Sequence, residues 1–237
     1  MPDASPHIGT LREKPLHASL KRWYSHPSDR VECPVEGFVV DLVRGDLLIE
    51  IQTRGFASMK QKTRSLLDLG HRLRIAYPVP VDKWIIKVNE DGSILSRRRS
   101  PKHGETTDVF SELVTFPELL AHPNLEVDVL LTVEEEYRTH MPGQAWRRKG
   151  WVVVERHLVE VLGSVLLTSV EDAAALLPDG MPDPFTTSDL ASSLGRPRRL
   201  AQQMAYCLRK AGGIHDVGKR GNALLYRSKP QTDGKTA

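Results

Sequence analysis

Three polar side chains able to do chemistry, Asp41, Glu50 and Gln52, stand inside an apolar stretch, FVVDLVRGDLLIEIQTRG, residues 38–55. The stretch reads as two strands around a tight turn, with Arg44 and Gly45 as the turn residues. In that register Asp41 faces Leu48 and Val39 faces Glu50. Side chains alternate with period two, so Asp41, Glu50 and Gln52 project from one face. Asp41 and Glu50 become diagonal neighbours, roughly 7–8 Å apart at the backbone. Two carboxylates so close repel, and if buried one must hold a proton unless a cation lies between them. A hard divalent ion meets that need, because Mg²⁺ is typically held by one or two carboxylates with waters and phosphate. The other reading makes this the solvent face of the hairpin. Val39, Val43 and Leu48 share the carboxylate face, which makes it partly apolar.

These residues need elements to position them. A helix is expected over about Lys14–Tyr24, with Pro15 in its first turn, where the missing N–H has no partner. Glu13, Leu16, Leu20 and Trp23 recur at helical spacing and form one stripe, which aligns Glu13 with the core-facing side. A glutamate there also simply complements the helix dipole. After the hairpin, SMKQKTRSLLDLG reads as an amphipathic helix closed by Gly70. RLRIAYPV and DKWIIKVN read as two further strands, and EDG turns the chain into SILSRRR.

An acidic residue on a first helix, an Asp in one strand and Glu-x-Lys in the next form the pattern of the PD-(D/E)XK nucleases. Residues 10–95 resemble that superfamily, with Glu13, Asp41, Glu50 and Gln52 in order. Val40 stands where the name has Pro, and Gln52 replaces the lysine, as in a Glu-x-Gln variant. The resemblance implies a restriction-endonuclease-like mixed sheet flanked by helices, an α/β fold. It also implies hydrolysis of a DNA phosphodiester, with Mg²⁺ or Mn²⁺ on Asp41 and Glu50. Gln52 would orient water or phosphate, and Lys60 and Lys62 could contact the DNA backbone. The alternative is a regulatory DNA-binding protein with a nuclease-like core that does not cut. A partner-binding scaffold is a third option.

The C-terminal stretch 185–228 has the pattern of a small winged helix. Thr187 or Ser188 caps a short helix with Leu190, Ala191 and Leu194 inward. Gly195 turns the chain into a second helix from Pro197 to Lys210, with Leu200, Met204 and Leu208 as its buried stripe. Arg198, Arg199, Gln202, Gln203, Tyr206 and Arg209 lie on or beside the opposite stripe. Arginine and glutamine are the side chains that pair bidentately with guanine and adenine in the major groove. IHDV and ALLYR would be strands around a wing tip, GKRGN, whose Lys219 and Arg220 suit phosphate. Gly213–Lys219 also matches G-x-x-x-x-G-K. A phosphate-binding loop needs a strand before, a helix after and Ser or Thr next, and Arg220 occupies that last position.

Charge supports a polyanionic partner. The chain of 237 residues carries a net +3. From Phe185 onward ten Lys or Arg face three Asp, a net of +7, leaving about −4 elsewhere. Two cysteines, Cys33 and Cys207, exclude a disulfide framework and a cysteine-based zinc site. No apolar run reaches the roughly 18 to 20 residues that span a bilayer, and the N-terminus has no apolar signal core, so a cytoplasmic protein without membrane contact is expected. PDGMPDP, with three prolines and a glycine, marks a linker. The expected organisation is a nuclease-like domain over 1–124, an unassigned middle region over 125–178, a linker over 179–184, a winged helix over 185–228 and a disordered tail over 229–237. Trp146 and Trp151 read as packing residues of the middle region. The oligomeric state stays open, with a homodimer as one option.

Overall fold

A computed structural model describes residues 14–228. Glu13 and the segment 229–237 lie outside the described residues. The chain folds as mixed α/β: a seven-stranded mixed sheet flanked by helices, followed by two helices and a two-stranded hairpin.

Helix α1, Pro15–Tyr24, starts at its proline. Strands β1 (Arg30–Val35), β2 (Phe38–Arg44) and β3 (Leu47–Ile51) then run antiparallel in sequence order. Strand β1 is unexpected from the sequence, where Pro34 and the charges in RVECPV hide it. It is an edge strand, the position where a proline is tolerated. The turn between β2 and β3 is Gly45-Asp46 rather than Arg44-Gly45, since Arg44 pairs with Leu47. This puts Gly45, φ +61°, at the first central position, where a two-residue hairpin turn favours glycine. Pairing moves by two residues from the expected register, so the faces are preserved.

Helix α2, Lys60–Asp68, crosses to β4, Arg72–Val88, which lies parallel to β3. The sequence suggests two strands here because of Pro78 and Pro80. The structure has one strand, and both prolines stand after β3 has ended at Ala76 and before β5 (Ile94–Arg99) begins at Trp84. That stretch is paired with β6 but has no partner strand on the side where Ala76 meets Gln52, so a missing N–H there costs no ladder bond. Helix α3, Phe110–Leu113, lies on the crossover to β6, Leu125–His140. Strand β6 pairs parallel with β4 along most of its length, and β7, Trp151–Leu167, closes the sheet antiparallel to β6. The sheet therefore runs straight through residue 124, and the middle region supplies β6, the longest partner of β4, and β7 beyond it.

Each face of the sheet has its own cover. Leu16 and Leu20 of α1 pack with Leu42, Ile49 and Ile51 on one face. Val43 and Leu48 on the other join Phe56, Leu66, Phe110 and Phe116. Of the expected α1 stripe, Leu16 and Leu20 are buried, but Trp23 is half exposed.

After the short α4, Val170–Ala174, come α5 (Thr187–Leu194) and α6 (Arg198–Ala211), then β8 (Ile214–Arg220) and β9 (Ala223–Ser228). Thr186, not Thr187 or Ser188, caps α5, in a reciprocal pair with Asp189. Pro197 is the cap residue of α6 and lies just outside it. Leu190, Leu200, Met204 and Leu208 are buried in the same continuous core as Phe110 and Phe116. Arg196 adds hydrogen bonds to Asp108 and to the His103 carbonyl. The C-terminal segment is thus packed onto the sheet body, and residues 179–184 do not behave as a free tether. Trp146, expected to pack, is 80% exposed.

Candidate active site

The site builds from the middle of β2 and the end of β3. The β2–β3 ladder ends at Leu42–Ile49, and Asp41 and Glu50 are the next residue on each strand. Asp41 Oδ2 accepts the Ile51 backbone N–H at 2.8 Å, which ties the first carboxylate to the strand that carries the second. His17 Nε2, on α1, lies 3.2 Å from the same oxygen. Glu50 Oε1 accepts from Lys62 Nζ of α2 at 2.5 Å, and the same ammonium donates to the Val39 carbonyl at 2.5 Å. Helices on opposite faces of the sheet thus each reach in to one carboxylate.

Both acids are largely enclosed, with 18% and 12% of their side chains exposed. Burial pushes the Asp41 carboxyl up, but the His17 ring, the Ile51 N–H and the Lys62 charge outweigh it. The group stays below the usual carboxylate range. Glu50 goes the other way. Burial is the main cause, Lys62 opposes it, and the Asp41 charge adds to the rise, so its pKa is pushed up to about 7. One acid is held ionised and its neighbour is poised near neutrality.

Gln52 closes the strand through its backbone N–H to the Ala76 carbonyl, 2.9 Å. Its side-chain amide donates to the Gly55 carbonyl and to Ser58 Oγ at 2.9 and 3.0 Å. It braces the turn after β3. The cation missing at position 52 is supplied beside Glu50 by Lys62. Just after Gln52, the Thr53 carbonyl accepts from Arg156 of β7, whose guanidinium also lies 3.8 Å from the fully buried Glu134 carboxylate. A cavity of about 190 Å³ opens there, lined by Lys14, Leu16, Thr53, Arg54 and residues 153–156.

Sequence reasoning missed His17 and Arg156. His17 follows Glu13 by four residues, a spacing that aligns them on a helix and could have drawn attention to it. Arg156 had no such signal, because its place depends on how β7 pairs with β6. The sequence suggests Lys62 only as a phosphate contact; its ammonium is engaged with Glu50 and Val39.

Asp41 and Glu50 offer hard oxygen donors of the kind Mg²⁺ takes, one or two carboxylates completed by water and phosphate. Among the described residues, no three His, Cys, Asp or Glu side chains are grouped so as to hold a metal ion. The residues of the C-terminal segment fall elsewhere. Arg198, Arg199, Gln202, Tyr206 and Arg209 are exposed along α6, and Gln203 is half-buried. Arg209 lies 3.7 Å from Asp216, and Arg220 folds back onto Asp189 and the Thr186 cap. Lys219 is exposed on β8.

Residues 14–168 match the model of a family described as a domain of unknown function, DUF8091. The chain belongs to the DUF8091 family. It is also 31% identical over 231 residues to an uncharacterized protein of Treponema pallidum (strain Nichols), a match covering 97% of this chain and 90% of that protein. No solved structure matches. The DUF8091 segment takes in Asp41, Glu50, Gln52 and Lys62 and ends just after β7, so α5, α6 and the β8–β9 hairpin lie beyond it. Among the described residues of this DUF8091 chain, no helix is long and apolar enough to cross a membrane.

Proposed function

We propose that the chain is a metal-dependent nuclease acting on DNA, with a restriction-endonuclease-like sheet domain and a C-terminal winged helix that contacts the duplex. The observation that carries this reading is the pair of largely enclosed acids on neighbouring strands, Asp41 tied to the Ile51 N–H and Glu50 held by Lys62. Such a pair is costly without a purpose. Two buried acids with divergent pKa values, one near 7, are a recurrent mark of a functional site.

Asp41 and Glu50 would hold Mg²⁺ or Mn²⁺. A bound divalent cation there polarises a phosphodiester and lowers the pKa of a water it carries. Lys62 holds the Glu50 carboxylate and would place positive charge beside a phosphate bound there. Gln52 braces the turn after β3, and His17 restrains the Asp41 carboxylate.

DNA contact is drawn from α6. Arg199, Gln202 and Tyr206 lie on its outer face, uncovered by the body, while Leu200, Met204 and Leu208 anchor the inner face. Lys219 suits a phosphate contact from the β8–β9 wing. Because α6 is packed on the sheet body, duplex held there has a fixed relation to the carboxylates. The test is cleavage of plasmid and single-stranded DNA in Mg²⁺, Mn²⁺ or EDTA by wild type and by Asp41→Ala. Loss of cleavage with retained binding supports the reading. Binding by wild type with no cleavage in either metal favours a regulatory DNA-binding protein instead.

A further inference from the structure

Beyond the carboxylate site the sheet continues as an arm. Strand β3 ends opposite Ala76, yet β4 runs on to Val88, carried by β5 on one side and β6 and β7 on the other. About twelve more residues at ~3.3 Å each place its tip roughly 40 Å past the strand end that bears Glu50. That tip is the β6–β7 loop, residues 141–150, MPGQAWRRKG, with three cations and no acid.

The loop is built, not slack. Met141 N–H bonds to the Gly150 carbonyl at 2.8 Å, and Arg148 and Lys149 N–H groups close a tight turn onto the Ala145 and Trp146 carbonyls. Ala145 and Lys149, at φ +46° and +51°, take left-handed conformations that non-glycine residues rarely adopt. The His140 ring donates to the Lys149 carbonyl at 3.2 Å and packs on Trp151. This framework holds Trp146 out into solvent with the Arg147 guanidinium 5.1 Å from its ring centre. Among the described residues, Arg98, Arg147, Arg148 and Lys149 have no carboxylate within ion-pair distance, whereas Arg97 and Arg99 are paired with Glu135 and Asp82. Glu90 and Asp91 occupy the neighbouring β4–β5 turn.

The geometry points to a single-stranded DNA contact at the arm tip, with Trp146 stacked on an unpaired base and Arg147, Arg148 and Lys149 on the flanking phosphates. An exposed aromatic in a loop of unpaired cations is the arrangement that binds single strands, since every base offers a face to stack on. The inference rests on DNA as the partner in the reading above and narrows the substrate to DNA with an unpaired segment beyond the cleavage site.

The test measures binding of the full chain to oligo(dT) and to a duplex of equal length, in EDTA, so the outcome does not depend on cleavage. Trp146→Ala should weaken oligo(dT) binding about 5- to 150-fold, the range for one lost stack, and leave duplex binding within twofold. Replacing Arg147, Arg148 and Lys149 by serine should lower the salt slope of oligo(dT) binding by about two. Oligo(dT) should quench tryptophan fluorescence in wild type and not in Trp146→Phe. Unchanged oligo(dT) affinity in both variants, equal losses for duplex and oligo(dT), or binding to anionic phospholipid vesicles in place of DNA would overturn the proposal. If cleavage in Mg²⁺ fails while these binding effects appear, the nuclease reading falls and the arm contact stands.

Discussion

Lys62 Nζ lies 2.5 Å from Glu50 Oε1 and also reaches the Val39 carbonyl, so one helical cation joins α2 to both strands of the carboxylate hairpin. The ammonium sits where Gln52 brings no charge. If the site cuts phosphodiesters, Lys62→Ala should lower the cleavage rate by about 10²–10³, the loss seen when one charge-stabilising group is removed. DNA affinity should change by less than about threefold. Lys62→Arg should recover part of the rate. Single-turnover cleavage beside equilibrium binding checks both.

Glu50 gives a pH dependence with a definite sign. Its pKa is pushed from an ordinary 4.5 to about 7. Between those values the folded protein keeps a proton that the unfolded chain releases, so stability falls as pH rises through this window and stays lowered above it. The full effect is of order 3 kcal/mol at ~1.4 kcal/mol per unit. A divalent cation that binds the ionised form offsets the loss. Mg²⁺ should therefore raise Tm clearly at pH 8 and little at pH 5, as read by thermal scans with and without EDTA. Glu50→Gln should abolish the Mg²⁺ response at both pH values.

The outer face of α6 should decide duplex affinity. Arg199→Ala and Gln202→Ala are each expected to cost about 1–3 kcal/mol of binding on a preferred sequence, with relaxed base preference. Lys219→Ala should weaken all duplexes alike and lower the salt slope by about one. Binding selections followed by salt titrations separate the two behaviours.

The C-terminal segment and the sheet should unfold together. Phe110, Phe116, Met204 and Leu208 share one core, and Cys207 is buried within it. Phe110→Ala should cost about 3–5 kcal/mol. Loss of helical signal and exposure of the Cys207 thiol should coincide in one thermal transition, measured in a Cys33→Ser background. Two separated transitions would show that α5 and α6 are an independent unit.

What the sequence made legible was set by period. A two-residue shift in register leaves every side chain of a hairpin on its own face, so Asp41 and Glu50 share a face whether the turn is Arg44-Gly45 or Gly45-Asp46. The buried stripe of α6 was legible for the same reason, through a period of 3.6. Partners that depend on packing were not. His17 and Lys62 come from helices on opposite faces, and Arg156 from a strand more than a hundred residues after the motif. Pro78 and Pro80 broke the pattern of β4 because their tolerance depends on which neighbours β4 lacks at that point. Trp146 misled through its type, since a tryptophan between apolar strands ordinarily packs.

Incubation of supercoiled plasmid with wild type and Asp41→Asn, in Mg²⁺ and in EDTA, bears most directly on the carboxylate site. Nicked or linear product should form only with wild type and metal, while both proteins shift the plasmid equally in a gel without metal. Equal cleavage by Asp41→Asn, or cleavage in EDTA, would contradict the assignment of the Asp41–Glu50 pair as the metal-dependent centre.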